Sequence, residues 1–145
     1  MKVVLQRVSR ACVRVGGEIT GSIGAGYVIL LGLGAGDDKL KVEKMVDKIE
    51  KLRIFADEAG KTNLSIGDVG GGILVVSQFT LYADCRKGNR PSFAGAAEPE
   101  PAEQLYDYFI KYARGKFAEI GHGTFGAGMQ VELVNDGPFS IILEE

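Results

Sequence analysis

The segment Val3–Val15 is rich in valine and ends in Gly16-Gly17. A Gly-Gly pair after such a run predicts a hairpin turn, with Glu18–Ile23 as the return strand. Gly24-Ala25-Gly26 reads as a second turn. Tyr27–Leu33 (YVILLGL) is apolar at nearly every position, the pattern of a strand covered on both faces. Asp37-Asp38 can cap a helix that the spacing predicts from Lys39 to Phe55. Leu40, Met45, Val46, Ile49 and Leu52 fall near one face of it, and Asp47 and Lys51 are spaced as an i, i+4 pair. Asp57–Lys61 is a predicted turn, and Gly67–Gly72 connects into Ile73–Tyr82, a second buried strand. Ala83–Glu98 reads as a long loop. Pro99-Glu100-Pro101 suits the first turn of a helix, in which Leu105, Phe109, Tyr112 and Lys116 share a face. Gly121–Gly128 reads as a loop, Met129–Val134 as a strand, Asn135–Pro138 as a turn and Phe139–Leu143 as a closing strand. The sum is a mixed α/β domain, residues 1–145, with about seven strands and two main helices. Hairpins at both ends argue against an all-parallel sheet.

Composition narrows the class. A chain of 145 residues suits one domain. The 46% hydrophobic and 25% charged residues exclude a disordered chain. The 21 glycines are near twice the average of about 7%, which points to many tight turns or close backbone approaches. No apolar run nears the ~18 residues of a membrane span. Arg7 and Arg10 fall where a signal peptide needs its apolar stretch. Cys12 and Cys85 make neither a disulfide framework nor a zinc site by their spacing. A reducing, cytoplasmic setting is the expectation. The net charge of −2 leaves room only for a local basic patch.

The inventory of chemical groups is thin. His122 is the single histidine, and it lies in a glycine loop with no placed partner. Metal motifs are absent, so no metal or other cofactor is expected. Cys85 precedes Arg86 and Lys87, which would activate a thiol only if they stood close. Gly32–Asp37 follows a strand and precedes a helix, but Asp37 takes the third fingerprint position, where it would repel a pyrophosphate; a turn and helix cap explain the segment. Ser77-Gln78-Phe79-Thr80-Leu81 interrupts an apolar strand with polar groups. Either these are satisfied inside the sheet or the strand end opens into a pocket. Asn135-Asp136-Gly137-Pro138 reads as a turn, with an X–Pro bond whose isomer the sequence does not give.

At these two motifs the chain resembles the D-aminoacyl-tRNA deacylases. The resemblance runs through Leu5-Gln6-Arg7-Val8, Gly21–Gly26, Leu52–Phe55, Val75–Leu81 (VVSQFTL), Arg90–Phe93, Leu105–Phe109, Phe125–Met129 and Asn135–Pro138. It implies a compact three-layer α/β/β fold. It implies a homodimeric editing enzyme that cleaves the ester between a D-amino acid and the terminal adenosine of tRNA. It further implies that Ser77, Gln78, Phe125 and Met129 bind substrate, and that the backbone N–H groups of Phe79 and Thr80 stabilise the oxyanion, assisted by the ribose 2′-hydroxyl. Gly137-Pro138, cis in the family, would enter from the partner subunit and crowd the side where an L side chain points, held in place by Arg7. Discrimination would then work by exclusion. A sister group edits L-alanine; Ser77 and Phe79 favour the D-specific group.

The family usually continues Gly-Pro with Val-Thr, where this chain has Phe139-Ser140. Arg86, Lys87, Arg90, Arg7, Arg10 and Arg14 are candidates for a rim that meets tRNA phosphates, with no DNA or membrane partner expected. Glycyl-tRNA is an expected second substrate, since glycine has no side chain to reject. The alternative reading is a dimeric aminoacyl-tRNA or nucleotide-binding module without catalysis.

Overall fold

The computed structural model describes residues 1–145. The chain runs β1 (Lys2–Val15), β2 (Glu18–Ile23), β3 (Gly26–Gly32), α1 (Lys39–Lys51), β4 (Arg53–Ala56), β5 (Thr62–Ser65), β6 (Gly72–Ser77), a 3-10 turn (Phe79–Tyr82), α2 (Pro99–Ala113), β7 (Glu119–His122) and β8 (Met129–Glu144). Six strands form one mixed sheet in the order β2-β1-β3-β6-β7, with β8 pairing along β1; β4 and β5 form a separate hairpin. The β3–β6 and β6–β7 pairings are parallel and the rest antiparallel.

Two apolar clusters explain the layers. Along β3 and β6 successive side chains point to opposite faces. Tyr27, Ile29, Leu31, Ile73 and Val75 pack under the helices with Val42, Met45, Val46, Ile49, Tyr106 and Phe109. Val28, Leu74 and Val76 point the other way and pack with Val8, Ala11, Val13 and Ile23. Helices, central sheet and the β1–β2–β8 layer thus make the three-layer α/β/β domain expected from the resemblance, with eight strands rather than seven. The sheet is nearly closed, because β2 returns against β7. A Cβ built on Gly21 would lie 2.7 Å from both the N and the O of His122, and one on Gly121 would lie 3.0 Å from the N and O of Ser22. The backbones meet there with no room for a side chain.

Several sequence expectations are corrected. The first helix stops at Lys51, not Phe55, because Leu52 is extended and Arg53 begins β4. Leu40 is 58% exposed, and Val42 takes the buried place instead. Asp47 turns from Lys51 to Lys116, 3.0 Å away. Tyr108, Tyr112 and Lys116 reach across to Glu43, Asp47 and Glu50 of α1, while the two half-buried tyrosine rings pack on the edge of the core. These bonds raise Lys116 above its ordinary range, the hydrogen bond to Asp47 first and that to Glu50 second. The strand expected over Ile73–Tyr82 ends at Ser77, and the loop expected over Gly121–Gly128 starts inside β7. Asn135–Pro138 is not a turn between two strands: β8 continues through it.

Gly21→Ala should keep the fold but overpack the β2–β7 contact. We expect a loss of about 1–3 kcal/mol, read from the urea midpoint at unchanged m-value.

Candidate active site

The end of β6 builds the first wall of the site. Gln78 N–H donates to Leu31 O at 2.8 Å, the last bond to β3. The chain then leaves the sheet in the 3-10 turn Phe79–Tyr82. In that turn Leu81 N–H bonds Gln78 O. The N–H groups of Phe79 and Thr80 have no acceptor within the chain. Two unpaired donors at an exposed turn are available to a ligand oxygen. The Thr80 hydroxyl accepts from Gln78 Nε2 and meets no acid or histidine.

The second wall comes from the loop after β7 and the start of β8. Val76, Ser77, Gln78, Phe79, Phe125, Gly126, Ala127, Met129 and Val131 line a cavity of about 280 Å³. Five residues singled out from sequence, Ser77, Gln78, Phe79, Phe125 and Met129, therefore meet in one place, with Thr80 next to it. Phe125 is placed by Tyr106, which the sequence places in the Leu105–Phe109 match but gives no role. Its ring lies 5.7 Å from the Phe125 ring. Its hydroxyl donates to Val75 O at 2.9 Å, and Gly123 O lies 3.3 Å from the same proton donor. Burial pushes the Tyr106 phenol up, so it stays a neutral donor. A tyrosine on the apolar face of α2 was the available signal, since a buried hydroxyl requires an acceptor.

Gly137 and Pro138 do not line this cavity. Gly137 is eight residues beyond Met129 along β8. The Gly137–Pro138 bond is cis, and Gly137 has φ +142°. A Cβ there would lie 2.9 Å from Phe139 N. Arg7, 13% exposed, reaches this segment. Its Nε donates to Asp136 O at 2.9 Å, another N–H of its guanidinium donates to Ile54 O, and it lies over the rings of Phe139 and Phe55 at 4.8 and 5.8 Å.

The charges expected to form a rim separate into two groups. Arg7 is engaged as described, Arg14 pairs with Glu132 at 3.4 Å and Arg86 pairs with Asp84 at 2.7 Å. Those hydrogen bonds from Arg86 hold the Asp84 carboxyl below its ordinary range. Arg10, Lys87 and Arg90 are exposed and form no ion pair. His122 is exposed on β7, with Nδ1 2.9 Å from Gly123 O. Cys85 is exposed and Cys12 half-buried. No group of three or more acidic, histidine or cysteine side chains is placed to hold a metal. No helix is long and apolar enough to cross a membrane.

The model of the D-Tyr-tRNA(Tyr) deacylases matches residues 4–144. The chain belongs to the D-Tyr-tRNA(Tyr) deacylase family. As a deacylase it has relatives that match over nearly its full length. A D-aminoacyl-tRNA deacylase of Dehalococcoides mccartyi is 55% identical over 99% of this chain and 94% of that protein. One of Aeromonas hydrophila is 52% identical over 99% of each. Among solved structures, one described as c-Myc DNA Unwinding Element Binding Protein superposes with TM-score 0.94 at 47% identity, covering 100% of this chain and 99% of that one. A probable eukaryotic D-amino acid tRNA deacylase shares the fold with TM-score 0.84 at 17% identity, covering 98% of this chain and 97% of that one.

The cavity has one adjustable wall. A Cβ on Gly123 would lie 2.4 Å from the Met129 sulfur, the flexible part of a side chain that can move. Gly123→Ala should therefore fold normally while displacing Met129. The expected result in steady-state kinetics is a raised KM with kcat changed far less.

Proposed function

We propose that this deacylase hydrolyses the ester joining a D-amino acid to the terminal adenosine of tRNA, releasing the free amino acid and tRNA, and spares the L form. The observation that carries this reading is the pair of unpaired N–H donors of Phe79 and Thr80 beside a small cavity that offers no acid–base pair. Chemistry at such a site rests on stabilising the oxyanion, for which one placed donor contributes roughly 3–4 kcal/mol. The ribose 2′-hydroxyl assists, water attacks the ester carbonyl, and the ribose oxygen leaves. Thr80 is not the nucleophile, since no base stands near to take its proton. Ser77, Gln78, Phe125 and Met129 hold the adenosine and aminoacyl end.

The working unit is a homodimer. A cavity of about 280 Å³ is at the small end for a ligand site, where about 300 Å³ or more is usual. Gly137-Pro138 does not line it in the same chain. A two-fold partner supplies that motif to each site, where it stands against an L side chain. Glycine, without a side chain, escapes it, so glycyl-tRNA is a second substrate. Lys87, Arg90 and Arg10 meet tRNA phosphates, and a cytoplasmic location follows from that substrate. The description of the neighbour at 47% identity favours one rival, nucleic-acid binding without catalysis.

Deacylation of D- and L-tyrosyl-tRNA side by side decides between them. We expect rapid release from the D form and little from the L form; binding without release supports the rival. Thr80→Ala should keep most of kcat, whereas a substrate ending in 2′-deoxyadenosine should react far more slowly. An inactive, folded Thr80→Ala would restore Thr80 as nucleophile.

A further inference from the structure

The β1–β8 pairing skips twice, between Gln6 and Val8 and between Val8 and Arg10, and the first skip is the larger. Gln6 pairs with Ser140 and Val8 with Asn135, so residues 136–139 stand opposite Arg7 alone. Four residues against one make a loop pushed out of a continuous strand, far larger than an ordinary one-residue bulge. Such a loop needs its neck closed if its tip is to hold one position.

The Asn135 side chain sits at that neck with its hydrogen-bonding groups engaged. Its Oδ1 accepts from the Phe139 N–H at 2.6 Å. Its Nδ2 donates to Gln6 Oε1 at 2.9 Å and to Ser140 Oγ at 3.2 Å. The orientation of the amide is set by chemistry, because a backbone N–H can only face the oxygen. One side chain thus ties the residue before the loop to the loop's last residue, to Ser140 just beyond it and to Gln6 of β1. Arg7 holds the other side of the loop at Asp136 O. Ser140, where the family usually has Thr, keeps the hydroxyl that this arrangement uses.

We propose that Asn135 is a positioning residue for chiral selection: by closing the neck of the 136–139 loop it fixes where Gly137 and Pro138 stand against the substrate. The proposal rests on the reading that this loop rejects L-amino acids. Asn135 touches neither the cavity nor the reacting ester, so its loss should alter selection much more than turnover. Asn135→Asp should rescue, since its carboxylate still accepts from Phe139 N–H, the Ser140 hydroxyl can donate to it, and the Gln6 amide can rotate to donate.

The test compares D- and L-tyrosyl-tRNA hydrolysis by wild type, Asn135→Ala and Asn135→Asp. With three hydrogen bonds removed, the D-to-L rate ratio of the alanine variant should fall at least about tenfold while the D rate holds within about threefold. The aspartate variant should stay near wild type. An unchanged ratio in folded Asn135→Ala, or an equal fall in Asn135→Asp, overturns the proposal. Should the alanine variant not fold, Gln6→Leu with Ser140→Ala removes both partners of Nδ2 and must lower the ratio instead; an unchanged ratio there overturns it too. Amide hydrogen exchange separates this claim from the selection reading. A wild type that cleaves both enantiomers alike sinks that reading, yet the Phe139 amide must still exchange at least about tenfold faster in Asn135→Ala. Equal exchange rates overturn the role of Asn135 in fixing the loop.

Discussion

The guanidinium of Arg7 is the contact on which the placement of the Gly137-Pro138 loop depends. It projects from β1, donates to the backbone of β4 at Ile54 and to that of β8 at Asp136, and lies between the rings of Phe55 and Phe139. A guanidinium suits this place because it offers several donors in a fixed plane and stacks on aromatic faces. The Asp136 carboxylate, 3.6 Å from Nε, compensates the charge. Lysine could reach one carbonyl but could not span both while filling the space between two rings. Phe139 provides one of those rings.

That contact lies where a long strand changes partners. Met129, Val131 and Leu133 of β8 pack on the lower core, whereas Phe139, Ile141 and Leu143 pack on the core beneath the helices. The irregular residues between them carry the strand from one layer to the other. The inward positions of β1 change in step, from Val3 and Leu5 on one core to Ala11 and Val13 on the other, with register skips between Gln6 and Arg10. The Gly137-Pro138 loop therefore stands at the junction of two cores, supported from below by packed strands on both sides. A rigid base is what selection by exclusion requires, because a mobile wall would yield to an L side chain.

How far the sequence revealed this follows from the residue types involved. Both helices were legible because burial on one face leaves an apolar period, and β3 and β6 because burial on both faces leaves continuous apolar runs. Ser77, Gln78 and Phe79 stood out as polar interruptions of an apolar strand, but their residue types alone favoured satisfied groups inside the sheet; Phe125 and Met129 were named only through the resemblance. The boundary at Ser77 was missed because Phe79 and Leu81 continue an apolar pattern, although Phe79 is 58% exposed and rests against Phe93 with 5.0 Å between centroids. β7 was missed since a four-residue strand containing Gly121 carries no period; its glycine reports the close approach of β2. The loop in β8 looked like a turn because Asn, Asp, Gly and Pro are turn residues, and only the register along β1 shows one strand passing through.

The central claim is that each site joins the cavity of one subunit to the Gly137-Pro138 loop of the other. Mixing two damaged proteins tests it. Gly137→Val should hydrolyse both enantiomers, because its loop is displaced. Thr80→Pro, which lacks a donor N–H, should be inactive. In a heterodimer of the two, one site takes the sound cavity of the first chain and the sound loop of the second. Adding the inactive protein to Gly137→Val under subunit exchange should therefore raise the D-to-L rate ratio toward that of wild type. A ratio that stays at the value of Gly137→Val alone, with heterodimers demonstrated by mass, would place cavity and loop in the same chain and contradict the account.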